Sequence, residues 1–145
     1  MNNLSPNLED YLETIFVLEN EQKAARAKDI ADKMNVQRAS VTGALHSLSE
    51  KGLINYQPYS SVTLTAEGFK KASNILYRHK VLFEFLHNFL QLPAELADEN
   101  ACRIEHQIDD LVLERLIDFV QFIKKSPLAN QDWREKFSAS EDPAE

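Results

Sequence analysis

Cys102, Glu105 and His106 stand at spacings i, i+3 and i+4. On a helix that puts a thiol, a carboxylate and an imidazole side by side on one face. Those donor types together can hold a transition-metal ion, and a neighbouring helix can finish the shell. The chain offers two completions, Asp10 with Glu13 near the N-terminus and His79 in mid-chain. The bland alternative is that Cys102 and His106 pack into a core while the carboxylates stay solvated. Against it, two further carboxylates beside a Glu-His pair repel one another unless a cation lies between them. Removing that repulsion is a direct way for an ion to draw two parts of a chain together.

The donors discriminate only partly between metals. A thiolate disfavours Mn2+ and favours Fe2+, Co2+ or Zn2+, whereas the carboxylates and imidazoles suit Mn2+ or Fe2+. Fe2+ satisfies both halves best, with Mn2+ the alternative, and Zn2+ or Co2+ should bind tightly in vitro by the stability order. The same donors fit one site or two adjacent ones, with Glu13 and His79 seeding the second. Oxidation of Cys102 as a metal-independent redox sensor is a further reading; a plain ligand is the simpler one. A metalloenzyme using Glu105 or Glu13 as general base would need an open coordination position, which so crowded a shell does not leave. The expectation is no enzyme.

The elements that must position these donors are mostly helical; only three glycines occur. Ser5-Pro6 reads as an N-cap followed by Pro at the first helical position. Leu8, Tyr11, Leu12, Ile15 and Phe16 then repeat with helical period to near Glu19, with Asp10 and Glu13 off that stripe. A second helix covers roughly Ala27 to Met34 and Asn35-Val36-Gln37 is a tight turn. A third helix runs from about Arg38 to Lys51, closed by Gly52. Leu53 to Tyr56 and Ser61 to Leu64 read as two strands around Gln57-Pro58-Tyr59-Ser60. Helix, helix, turn, helix, hairpin is the order of a winged helix-turn-helix. Thr65 caps a long helix from about Ala66 to Leu90, apolar on two sides and therefore buried on two sides. Leu92-Pro93 breaks it. A further helix is expected over roughly Glu99 to Ile108, and a last one from Asp109-Asp110 to before Ser126, with Val112, Leu113, Leu116, Val120 and Ile123 inward. The fold expected is mainly α: a winged helix-turn-helix with a small β-hairpin wing over 1–70, an all-helical metal-binding and dimerisation domain over 71–127, and a polar tail over 128–145 anchored by Trp133 and Phe137.

The net charge of −7 argues on its face against DNA. Its distribution removes much of that objection. Residues 1–80 carry ten Lys/Arg against nine Asp/Glu, and residues 81–145 six against fourteen, so the acidity belongs to the second half. In the third helix, an inward Val41, Leu45 and Leu48 leave Arg38, Ala39, Thr42, Gly43 and His46 outward. Gln37, Arg38, Ser40 and Thr42 lie near its N-terminal end, where backbone N–H groups favour phosphate. Arg38 offers a bidentate contact to guanine, worth about 1–3 kcal/mol of discrimination, or a phosphate contact alone. Arg26 and Lys28 are phosphate candidates, and the wing has no cation. A hydrophobic share of 43% makes disorder a poor reading. No run reaches the roughly 18 apolar residues that span a bilayer. A single cysteine and an N-terminus unlike a signal peptide lead us to expect a cytoplasmic protein.

With these elements in place the sequence resembles the diphtheria-toxin-repressor/manganese-transport-regulator family of metal-dependent repressors. The carrying residues are Leu8-Glu9-Asp10-Tyr11-Leu12-Glu13, Val41-Thr42 through Gly52-Leu53-Ile54, Leu64-Thr65-Ala66-Glu67-Gly68, Tyr77-Arg78-His79 and Cys102-Arg103-Ile104-Glu105-His106. They extend over about residues 5–127, and their combination is far more specific than any one motif. The resemblance implies a short form without the SH3-like domain that many iron-type members add. Asp10 and Glu13 match the carboxylates of manganese-type members, where iron-type members have Met at the first. His79, Glu105 and His106 match both types, and Cys102 matches the iron-type thiol where the manganese type has Glu. Phe83 takes the place of a carboxylate of the iron-type ancillary site, and Gly43 that of a side chain which contacts bases. The implied function is a homodimeric repressor that Fe2+, alternatively Mn2+, activates for a palindromic DNA operator controlling genes for uptake of that metal.

Overall fold

Helix α1 (Pro6–Gln22) begins at the cap that the sequence marks. The Leu8 amide donates to Ser5 Oγ at 3.2 Å, and Pro6 takes a first-turn position that needs no N–H. The computed structural model describes residues 4–22, 24–126, 134, 135 and 137. The helix outruns the expected end near Glu19 because the next residues, Asn20, Glu21 and Gln22, include no breaker. Glu19 also has a tertiary role, its Oε2 accepting from the Leu64 amide at 3.0 Å.

Helices α2 (Ala27–Met34) and α3 (Arg38–Glu50) fall where periodicity put them. Asn35 ends α2 at φ 54°, a left-handed cap that Asn adopts more readily than most residues. Gly52, at φ 72°, lets the Leu53 amide turn back to Leu48 O at 3.0 Å and closes α3. Strands β1 (Ile54–Asn55) and β2 (Thr63–Leu64) pair antiparallel, Ile54 opposite Leu64 and Asn55 opposite Thr63. They are shorter than expected because Val62 bridges to Ala25, ahead of α2, instead of extending the hairpin. The wing is thereby tied to two helices rather than one.

Helix α4 (Ala66–Glu84) is capped by Thr65, whose Oγ1 accepts from the Gly68 amide at 3.1 Å and donates to Gly52 O at 2.7 Å. Gly68 lies hard against the end of α3, where an added Cβ would sit 1.8 Å from Leu53 O. Backbone cannot yield as a side chain does, so Gly68→Ala should cost about 3 kcal/mol. Thermal unfolding checks this; an unchanged Tm would contradict the close approach.

The chain divides into two units, Met1–Tyr77 and Arg78–Glu145. The core of the first gathers Tyr11, Leu12, Ile15, Ile30, Leu45 and Leu48, with Val62 from the wing. Phe69 remains exposed, its ring tilted against that of Phe16 at 5.2 Å. In the second unit the end of α4 passes into a π-helical turn (Phe85–Phe89), with the Leu90 amide bonding Phe85 O. Helix α5 (Ala94–Glu105) starts five residues before the expected position, since Pro93 supplies its cap and Ala94 to Ala97 are strong helix formers. Helix α6 (Asp110–Lys125) follows. Leu82, Ala101 and Leu113 form the second core, with Leu86, Ile108 and Leu116 packed on it. Val112, expected inward, is exposed, because Leu113, Leu116 and Val120 define the inner face and Val112 lies about 100° round the helix from Leu113. Leu111, Phe119 and Phe122 are exposed too. Trp133 lies outside the described residues, as does most of 128–145; Phe137 is exposed. Among the described residues no helix is long and apolar enough to cross a membrane.

Candidate functional site

Helix α5 carries one donor per turn along one edge: Asp98, then Cys102, then Glu105, with His106 as its C-cap. The Cys102 sulfur, a Glu105 carboxylate oxygen and a His106 ring nitrogen all lie within 4.8 Å of one another. Helix α4 adds His79, whose Nδ1 is 2.7 Å from Glu105 Oε2 and whose Nε2 is 2.8 Å from Asp98 Oδ1. Neighbouring Arg78 donates to the Glu105 carbonyl at 3.2 Å and pairs with Asp110 in the first turn of α6. A cation at the end of α5 and an anion at the start of α6 both suit the helix dipoles. Arg78 thus pins the end of α5, and with it the donors it carries.

Glu105 is the centre of this group. It is 1% exposed, in surroundings where an ionised carboxylate must be compensated. One oxygen has His79. The other, Oε1, is buried without a hydrogen-bond partner among the described residues, His106 Nε2 standing at 3.4 Å in ion-pair range but outside hydrogen-bond geometry. A buried acceptor left so costs about 1–3 kcal/mol. An orphaned carboxylate oxygen beside a thiol and an imidazole fits a divalent cation, which would satisfy it. Around His79 the electrostatics favour a positive charge. The Glu105 hydrogen bond is the main cause of a rise from 6.5 to about 9 in its pKa, with burial opposing and Asp98 adding to the rise.

The structure thus brings His79, Cys102, Glu105 and His106 together within the second unit. Asp10 and Glu13 belong to the first unit, one turn apart on α1 and both half-buried. Spacing alone did not single out Asp98 or Arg78, although Asp98 stands one turn ahead of Cys102 in the same register.

On the first unit, Gln37, Arg38, Ala39, Ser40, Thr42, Gly43 and His46 are all exposed, along the face of α3 opposite its buried Val41, Ala44, Leu45 and Leu48. Thr42 Oγ1 donates back to Arg38 O at 3.1 Å. A Cβ at Gly43 would meet nothing within 4 Å, leaving a smooth stretch of helix. His46 stands edge-on to Tyr56 at 5.4 Å. Between α3, the start of α2 and the wing lies an open cleft of about 660 Å³, lined by Arg26, Thr42, His46, Tyr56, Tyr59 and Ser61. Lys28 lines an adjoining depression with Arg26. Tyr59 stands fully exposed at the wing tip with φ 67°.

Two family models cover most of the chain. Residues 3–62 match the iron dependent repressor N-terminal DNA binding domain, and residues 65–134 match the iron dependent repressor metal binding and dimerisation domain. An uncharacterized HTH-type transcriptional regulator of Methanocaldococcus jannaschii, MJ0568, is 36% identical over 122 residues, 83% of this chain and 98% of its own. The HTH-type transcriptional regulator MntR of Shouchella clausii is 32% identical over 131 residues, 90% of this chain and 91% of its own. The solved structure of the manganese regulator SloR superposes with a TM-score of 0.72 at 31% identity over 86% of this chain. The chain spans 58% of the SloR chain, little more than half.

Proposed function

The chain belongs to the iron-dependent repressor family, the diphtheria-toxin-repressor/manganese-transport-regulator group, and from that premise we propose a homodimeric, metal-activated transcriptional repressor responding to Fe2+. The observation that carries the reading is the buried, orphaned Oε1 of Glu105 amid Cys102, His106 and His79. In this reading Cys102, Glu105 and His106 hold the ion with Asp10, and Glu13 with His79 completes the shell or seeds a second site. When bound, the ion supplies the positive charge that lets carboxylates from both units share one centre. With α1 so held, the two α3 helices of a dimer are kept at the spacing of successive major grooves on a palindromic operator. Coupling between ion and DNA of this kind is typically about 1–3 kcal/mol.

Exposed Arg38 is the residue we assign to base contact, with Gln37, Ser40 and Thr42 beside it and Arg26 and Lys28 on phosphate. Arg38→Ala should weaken operator binding roughly 10-fold or more and leave metal affinity without DNA unchanged. Titrating a fluorescent duplex and, separately, the metal distinguishes these effects; a variant that bound DNA normally would remove Arg38 from the interface. The match to a DNA binding domain and to transcriptional regulators supports a regulatory function.

A manganese-responsive version is the second reading, favoured by the paired carboxylates Asp10 and Glu13 and by relatives named for manganese. The thiol of Cys102 weighs toward Fe2+. Parallel anaerobic DNA-binding titrations with Fe2+ and Mn2+ test the choice, using a duplex selected from a random pool and with metal content measured. Activation by Fe2+ at the lower concentration supports the first reading; activation by Mn2+ alone replaces it with the second.

A further inference from the structure

We propose that Asp98 is a positioning residue for His79, holding the ring so that Nδ1, and not Nε2, is the nitrogen offered to a cation. The inference rests on the reading of His79 as a ligand. Both ring nitrogens meet a carboxylate: Nδ1 lies 2.7 Å from Glu105 Oε2 and Nε2 2.8 Å from Asp98 Oδ1. That pattern fixes which way the imidazole faces. Glu105 has no side-chain exposure and Asp98 has 65%, so Nδ1 is turned to the buried donors and Nε2 to the surface. An imidazole that binds a cation gives up one nitrogen and keeps a hydrogen on the other. An ionised carboxylate can only accept, so each nitrogen keeps a hydrogen until a cation held by Glu105 takes the place of the one on Nδ1, while Asp98 retains the one on Nε2. Ligating histidines commonly owe their orientation to a carboxylate on the far nitrogen, and losing such a partner typically costs about 10–100-fold in metal affinity. Asp98 also shares α5 with Cys102 and Glu105, so one rigid element sets the ring and two of the donors beside it.

The test uses the full chain loaded with Zn2+, a diamagnetic probe, and ¹⁵N-labelled at histidine. Long-range proton–nitrogen correlation spectra read the His79 ring directly. The wild type should show Nδ1 shifted as a metal-bound nitrogen and Nε2 carrying hydrogen. Asp98→Ala should mix the two forms and lower Zn2+ affinity about 10-fold. Asp98→Asn, whose amide oxygen still accepts, should restore both. Metal-bound Nε2 in the wild type overturns the proposal, and so does an Asp98→Ala variant with unchanged spectrum and affinity. Equal losses in Asp98→Asn and Asp98→Ala overturn it too, since they would make Asp98 a direct ligand. His79→Ala separates the levels: unchanged Zn2+ binding there fails the ligand reading itself. Weakened binding there with silent Asp98 variants fails this inference alone.

Discussion

Replacing His106 with alanine is expected to abolish metal-dependent operator binding and to leave a folded dimer. The imidazole is one of three donors within 4.8 Å of one another on a single helix end, so its loss takes one ligand from the centre. His106 lies at the C-cap of α5, and the apolar core of this unit is built from Leu82, Ala101 and Leu113. If the ion's contribution to DNA binding is about 1–3 kcal/mol, operator affinity at saturating Fe2+ falls about 5–150-fold to the metal-free level. Size-exclusion chromatography and fluorescence anisotropy check the two halves of this result. A variant that still responds to metal would remove His106 from the centre.

Glu105→Gln is expected to be at least as severe for the metal and is informative without it. The amide keeps the shape and loses the charge, so metal affinity should fall more than about 100-fold, beyond the loss of an orienting partner. In chelator the same change removes the largest cause of the raised His79 pKa, which should drop from about 9 back towards 6.5. A raised pKa on a base means that the folded state holds the proton more tightly than the unfolded one. In the wild type that contribution is full below pH 6.5 and is lost as pH rises through about 9. Metal-free wild type should therefore lose stability over this window, and Glu105→Gln should lose much less. Thermal melts in chelator across that range decide it; parallel curves would contradict the Glu105–His79 coupling.

Much of this was legible in the sequence because local chemistry wrote it. Ser5-Pro6, Thr65 and Gly52 mark helix ends by hydrogen-bonding capacity or backbone freedom, and each acts where it was expected. The Cys102, Glu105, His106 spacing is helical arithmetic, and the structure gathers those three donors. What was not legible depends on partners far away in the chain. The start of α5 was missed because Ala97 and Ala101, its buried positions, are too small to raise an apolar signal. The strands were overcalled because the demand of Ala25 on Val62 is non-local. Leu111, Phe119 and Phe122 lie outward on α6, where a periodic reading of apolar residues cannot tell a core face from an exposed one. Arg78 matters through the Glu105 carbonyl and Asp98 through His79, contacts between helices that no spacing along either one announces.

In the proposed function a cation is held at Glu105 and shared with the first helix. Anomalous diffraction from crystals of the Mn2+- or Fe2+-loaded protein tests it most directly. The predicted result is a strong peak bonded to Glu105 Oε1, the Cys102 sulfur, a His106 nitrogen and a carboxylate of α1. A peak elsewhere, or none, with operator binding that persists in chelator, would contradict it.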